Sequence, residues 1–410
     1  MFMVQDKAGA IVSISFSLLF LGSWPTILTH AERKGRLPQH AYLDYSVSNL
    51  LAAVLIALTF GQLGDGRPNF FTQLRQAQDD WPSVLFALGG GAALSVGNLC
   101  TQYGWAYVGL SLTEVIVSSL TVVLSGTTLN YFLDNKINSA AILFPGVACF
   151  LAAATLACAL HSSNKADDKK KLSASPNSYS FCTNGGLTLG EQVSITEPLR
   201  DTENGDSPVT DATRAKPGSK EYLIELEQRR SIKVLESNKF IGIAIVLFAG
   251  FLMSLFSPAF NLATNDQWHT LKDGVPHLMV YTAYFYFSIS SFVIGVGINI
   301  WFLYCPIADV EKSSFKAYLK DWKGRQWALL AGLLCGFGNG LEFMGGQAAG
   351  YAAADAVEAL PLVSTFWAIL LLKEYWRASK KTYILLVSML FTFAAAVALL
   401  MGSAGQRSTK

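Results

Sequence analysis

Residues 240–262 read FIGIAIVLFAGFLMSLFSPAFNL, twenty-three positions without one charged side chain. A helix crossing a bilayer needs about 20 predominantly apolar residues, because in hydrocarbon the backbone must satisfy its own hydrogen bonds. This stretch meets that demand. Nine more runs meet it as well: 9–29, 41–62, 81–106, 110–133, 139–160, 280–304, 326–348, 351–372 and 381–402. The chain as a whole is 51% apolar and only 15% charged, against roughly 25% charged in soluble domains. So little charge cannot cover a water-facing surface of this size, and the reading is an all-α integral membrane protein with ten transmembrane helices. The first run has only Asp6 and Lys7 before it and no small-residue cleavage site after it, so it reads as a span and not a signal peptide.

The ten runs fall into two groups of five around a polar stretch at 162–238, rich in Ser, Asn, Lys, Asp and Thr, that cannot bury enough apolar surface to fold alone. The organisation expected is a first five-helix repeat over 1–161, a largely disordered linker over 162–238 and a second repeat over 239–410. The end of the linker, 221–235, has the pattern of a short amphipathic surface helix. Lys and Arg are biased to one side: 24 fall on the linker side and seven on the other, or 12 against seven with the linker left out. The positive-inside rule then makes the linker cytosolic and both termini extracytosolic.

Five is odd, so the second half enters the membrane upside down relative to the first, giving a five-plus-five inverted repeat. Secondary transporters are built this way, with the binding site where the repeats meet. Traces of the repeat survive in the sequence. Ser23-Trp24-Pro25 lies in the first span and Phe256-Ser257-Pro258 in the sixth, while Gly97-Asn98 lies in the third and Gly338-Asn339 in the eighth. Gln102 precedes Glu114 by twelve residues, and Gln347 precedes Glu358 by eleven.

Charges inside spans are costly and mark function by default; here they are Asp44, Glu114, Glu342, Asp355 and Glu358. Glu114 and Asp355 open their spans, where a helix dipole also favours a carboxylate. Glu342 and Glu358 lie deeper. Withdrawal from water disfavours the charged form, and a group poised to gain and lose a proton is what proton-coupled symport requires. Glu114, Glu342 and Glu358 are therefore the coupling candidates, and Glu374, beside Lys373 and Arg377, reads as an interfacial ion pair. Asn98, Gln102, Asn339 and Gln347 each offer donor and acceptor, and Trp24, Tyr103 and Phe256 offer aromatic faces. Together they suit a planar solute with ring N–H and C=O groups.

Other chemistries find no support. The six cysteines show no CxxC spacing, and the five histidines read as loop residues without the spacing of a zinc site. Nothing matches a phosphate-binding Gly-rich loop, so ATP is not expected as the driving force. The net charge of +2 does not point to nucleic acid. No enzyme activity, cofactor or metal is expected; the partners are the solute, protons and the lipid bilayer.

Several longer stretches resemble the plant ureide permeases of the drug/metabolite transporter superfamily. In the first half they are Arg36-Leu-Pro-Gln-His40, Tyr42-Leu-Asp-Tyr45, Pro68-Asn-Phe-Phe-Thr-Gln73, Ala106-Tyr-Val-Gly-Leu-Ser111, Thr113-Glu-Val115 and Phe144-Pro-Gly-Val-Ala-Cys-Phe150. In the second they are Asn261-Leu-Ala-Thr-Asn-Asp-Gln-Trp-His269, Gly336-Phe-Gly-Asn-Gly340 and Gly345-Gly-Gln-Ala-Ala-Gly-Tyr-Ala-Ala-Ala-Asp355. The resemblance implies proton-coupled import of allantoin, uracil and related oxo-heterocycles, with a cavity among the first, third and fourth spans of each half. It also implies a plant membrane, the plasma membrane first and the endoplasmic reticulum second. The alternatives to be set against it are a proton-independent uniporter or exchanger and a non-transporting sensor of the same fold. One departure is plain: the nucleotide-binding-like stretch ascribed to the family's central loop is missing from this linker.

Overall fold

The structure, a computed structural model, describes residues 6–64, 66–76, 79–173, 239–307 and 310–407, with Phe2, Val4 and Ser219. Among the described residues there is no strand, and ten helical segments are long and apolar enough to cross a membrane. In chain order the spans are Lys7–Arg33, Pro38–Leu58, Trp81–Tyr107, Leu110–Leu133, Ala140–Lys171, Phe240–Asn265, Val280–Tyr304, Arg325–Ala349, Tyr351–Leu371 and Lys380–Gly402. They are called the first to tenth spans below. Most of the expected linker, including the surface helix at 221–235, lies outside the described residues. Its first part, 162–173, is helical and continues the fifth span. There Asp167 accepts from Ser379 N (2.8 Å) and Thr382 Oγ1 (2.7 Å), at the start of the tenth span.

Lipid is as apolar as leucine, so helices in a bilayer associate through close packing and not through exclusion of water. Glycines supply the close approaches here. A Cβ added at Gly91 would lie 1.9 Å from the Phe287 carbonyl oxygen, and one at Gly332 would lie 2.2 Å from that of Tyr45. The same test puts Gly97 against Met253 and Gly338 against Leu21, at 2.8 and 2.7 Å. It puts Gly104 against Val246 and Gly345 against Ile14, at 2.7 and 2.6 Å. The members of each glycine pair are 241 residues apart.

Whole spans follow the same exchange. The first packs along the eighth as the sixth packs along the third. The second meets the eighth as the seventh meets the third, and the first meets the ninth as the sixth meets the fourth. The fifth packs on the tenth and the second on the seventh. Two short connector helices correspond too: Phe70–Arg75, capped by Asn69, and Phe315–Lys320, capped by Ser314.

Two spans are interrupted. The fourth passes through a π-helical segment at Thr121–Gly126. The ninth opens with one short helical turn, Tyr351–Ala354, runs through a 3-10 turn at Asp355–Glu358, and resumes at Leu360 with Pro361 in its first turn. Gly350 alone joins the eighth and ninth spans. Its φ of +93° suits glycine, and a Cβ there would lie 2.4 Å from Asn138 Oδ1.

Buried charge tethers the two halves at the end that carries the 34–37 and 305–324 connectors. The Arg36 side chain is fully buried. It ion-pairs with Asp44, lies 3.3 Å from Asp321, and donates to the carbonyls of Asp321 (3.1 Å) and Lys323 (2.9 Å). Asp44 also accepts from Tyr318 (2.8 Å) and lies 3.3 Å from Arg325 Nε. His40 bridges Asp321 and Ser313, each at 2.7 Å. Asp44 is thus the centre of an ionic clamp. At Asp321, burial favours the protonated form, but the His40 bond and the Arg36 charge outweigh it and hold the carboxyl below its usual value. A depressed carboxyl stabilises the fold above its unfolded pKa, and that contribution fades as pH falls through the folded value.

Removing one member of a buried pair leaves the other charge uncompensated. Asp44→Asn should therefore destabilise the protein by about 3 kcal/mol, read as a lower Tm of the detergent-purified chain. An unchanged Tm would mean that Asp321 and the two carbonyls satisfy Arg36 by themselves.

Candidate functional site

The third and eighth spans carry Asn98 and Asn339 at equivalent places, and both point to one pair of side chains. Asn98 donates to the Tyr45 hydroxyl (3.0 Å), Tyr45 donates to Cys335 Sγ (3.1 Å), and Asn339 donates to the same sulfur (3.5 Å). Two indole rings adjoin this polar group. Trp24 meets Tyr45 at 5.1 Å between centroids and Trp105 at 5.2 Å. The Trp105 indole N–H donates to Glu114 Oε1 at 2.6 Å. The first four spans and the eighth thus build one aromatic and polar cluster, and all of these side chains are buried.

The carboxylates lie beside it. Glu342, 1% exposed, is in the electrostatic field of Glu358 and Asp355, and Glu358 is in that of Asp355 and Glu114. Both oxygens of Glu342 and one each of Glu358 and Asp355 find no hydrogen-bond partner. A buried acceptor without a donor costs roughly 1–3 kcal/mol, so natural structures keep such groups where they have work to do. The 3-10 turn of the ninth span brings Asp355 and Glu358 to Glu342 of the eighth. Discontinuous spans are where transporters place substrate and coupling ions.

Of the residues expected from sequence, Trp24, Asn98, Asn339, Glu114, Glu342 and Glu358 gather in this region. Phe256 lies elsewhere, in an aromatic core with Phe260, Phe287 and Phe343, where Phe260 and Phe343 stack at 3.6 Å. Tyr103 packs edge-on against Phe302. Gln102 donates to the Pro38 carbonyl (3.0 Å) and ties the third span to the start of the second. Gln347 pairs with Asn265 and accepts from Tyr351, towards the other end of the bundle. Glu374 does form an ion pair, with Arg33 at 2.8 Å. The histidines are not all in loops, for His30, His40 and His161 are helical.

Tyr45, Trp105 and Cys335 are not among the site residues expected from sequence. Trp105 is separated from Glu114 by nine residues and a helix break at 108–109, and no helical periodicity joins positions across such a break. Among the described residues no group of His, Cys, Asp and Glu is arranged to hold a metal ion.

The family profile described as "Ureide permease" matches residues 41–403, most of the chain. The chain belongs to the ureide permease family. It is 61% identical over 407 residues to Ureide permease 1 of Arabidopsis thaliana, covering 99% of this chain and all of that one. Ureide permease 2 of the same plant is 60% identical over 410 residues, again 99% of this chain and all of the relative. Probable ureide permease A3 of Vigna unguiculata is 56% identical over 386 residues, 93% of this chain and all of the relative. The relatives are named as permeases, transporters and not enzymes, and this chain is a multi-pass membrane member of their family.

Trp105→Phe keeps the ring and removes the donor to Glu114. The stranded carboxylate should lower stability by about 2 kcal/mol, and adding Glu114→Leu should restore part of the loss. Strictly additive losses in thermal unfolding of the single and double variants would show that the two side chains are not coupled.

Proposed function

We propose that this chain imports ureides and related oxo-heterocycles, such as allantoin and uracil, by proton-coupled secondary transport. The observation that carries the reading is the placement of buried carboxylates without donors beside an aromatic and amide cluster, in a chain of the ureide permease family. Aromatic faces stack on a planar ring, and amide, hydroxyl and thiol groups meet its N–H and C=O groups. In the structure Trp24 contacts both Tyr45 and Trp105, so a solute enters by parting them. Asn98, Asn339 and Tyr45 then bond the solute in place of each other. Glu342 and Glu358 gain and lose the coupling proton, with Glu114 held by Trp105 next to the solute. Gln102, Tyr103, Phe256 and Gln347 serve the packing around this centre.

The halves are proposed to be inverted repeats, 1–161 and 239–410, which the paired glycines and the exchanged span contacts support. The excess of Lys and Arg supports a cytosolic linker and extracytosolic termini. The plasma membrane is the proposed residence, since import from outside the cell requires it.

Uptake of labelled allantoin and uracil by a deficient cell should rise as external pH falls, because each cycle carries a proton inward. Uptake indifferent to pH would sink proton coupling, and no uptake of either compound would sink the substrate assignment. Glu358→Gln should cut accumulation by about tenfold or more while sparing binding. Trp24→Leu should raise KM by about tenfold, where Phe256→Leu changes it little. Equal effects at the two positions would remove Trp24 from the solute site.

A further inference from the structure

By sequence Asp355 opens a span, where a helix dipole also favours a carboxylate. In the structure it begins the 3-10 turn near the start of the ninth span, 1% exposed and with Oδ2 unpartnered. Its other oxygen ends a continuous hydrogen-bonded chain that crosses from the sixth span to the fourth and back. Ser257 Oγ donates to Asp355 Oδ1 (3.4 Å), and Asn130 Nδ2 donates to Ser257 Oγ (2.8 Å). Asn261 Nδ2 donates to Asn130 Oδ1 (3.1 Å) and to Asp134 Oδ1 (3.0 Å). Asp134 is itself ion-paired with Arg407 beyond the tenth span, and it accepts from the Tyr351 backbone N–H (2.7 Å) at the start of the ninth.

We infer that Asp355 is a further proton-carrying residue, one that takes up the coupling proton and passes it to Glu342 and Glu358. The inference rests on the proton-coupled reading above. Amide groups do not hand protons on, so the chain through Asn130 and Asn261 positions Asp355 and does not conduct. From Asn261 one branch of donors runs through Asn130 and Ser257 to Asp355 and the other runs to Asp134. The first orients Oδ1 and leaves Oδ2 without a donor, as the atom that takes the proton. The step is a plain transfer: a hydronium ion gives one proton to Oδ2, water remains, and the carboxylate becomes neutral. The proton then moves to the carboxylate of Glu358 or Glu342, and Asp355 regains its charge. The groups that face it are accounted for: Thr127, Asn130 and Asp134 of the fourth span and its end, Ser257 of the sixth, Glu342 of the eighth and Glu358 of the ninth. Neutralising Asp355 removes one of the like charges that Glu342 and Glu358 face.

The test uses the full chain in proteoliposomes with labelled allantoin, comparing accumulation driven by an imposed pH gradient with exchange at equal pH. Asp355→Asn should lose about tenfold or more of the driven accumulation and keep exchange within about threefold; Asp355→Glu should recover part of it. Ser257→Ala, which loosens Asp355 without removing it, should move the pH of half-maximal uptake. Driven accumulation by Asp355→Asn at the wild-type level would overturn the inference. Should Asp355→Asn not assemble, an unchanged pH profile for Ser257→Ala would overturn it instead. A wild-type protein that ignores the gradient fails the coupled reading itself, and that outcome is visible before any variant is compared.

Discussion

The fold rests on backbone contact between helices from opposite halves of the chain. In hydrocarbon, burying a leucine against a neighbour gains little that lipid would not supply, so an interface persists only where main chains come near enough for dense packing. Gly91 under Phe287 and Gly332 under Tyr45 mark the tightest approaches. Each joins a span of one half to a span of the other, as do Gly97 with Met253 and Gly338 with Leu21. Neither half is a unit that closes on itself. A side chain larger than hydrogen at Gly91 or Gly332 would meet a carbonyl oxygen, which cannot step aside as the end of a flexible chain can.

The site follows from this interleaving. Because the third and eighth spans approach so closely to their partners, Asn98 and Asn339 reach the same Tyr45–Cys335 pair from two directions. The ninth span departs from α-helical geometry where it meets this region, and the departure sets Asp355 and Glu358 in one turn. In a 3-10 turn residues i and i+3 eclipse, so the two carboxylates lie directly in line along one side of the span. Rings, amides and acids from six spans therefore share one buried region.

Much of this was legible in sequence, for reasons that can be named. Ten apolar runs are visible because a bilayer demands length, and Glu342 and Glu358 stand out because charge inside such runs is rare. The paired Gly-Asn dipeptides mark the interface. What was not legible depended on tertiary neighbours. Trp24 and Phe256 carry the same aromatic and proline pattern, yet Trp24 meets Tyr45 and Trp105 while Phe256 is enclosed by other phenylalanines. Asp44 looked like a lone charge in a span because its ion-pair partner Arg36 precedes the span in a connector and its other partners, Tyr318 and Arg325, lie more than 270 residues on. The helical stretch at 162–173 reads as linker by composition, and contacts with Trp376, Ser379 and Thr382 hold it to the bundle.

The connectors between the second and third spans of each half have similar geometry and different chemistry. Each has a capped short helix, Phe70–Arg75 and Phe315–Lys320. At one end Gln73 holds the opposite half with two neutral bonds, to the His277 carbonyl and from the Met279 N–H, each 2.9 Å. At the other, Tyr318 belongs to a clamp of two arginines, two aspartates and a histidine. Neutral hydrogen bonds contribute about 1 kcal/mol each and exchange readily with water. A buried ionic network opens only if all its charges are rehydrated together, and losing one partner is worse than losing both. The two connectors thus hold the opposite half with unequal strength. At the Gln73 end the buried charge that bridges the halves sits on other elements, where Asp134 after the fourth span pairs with Arg407 beyond the tenth, so opening either end breaks an ion pair but moves different segments.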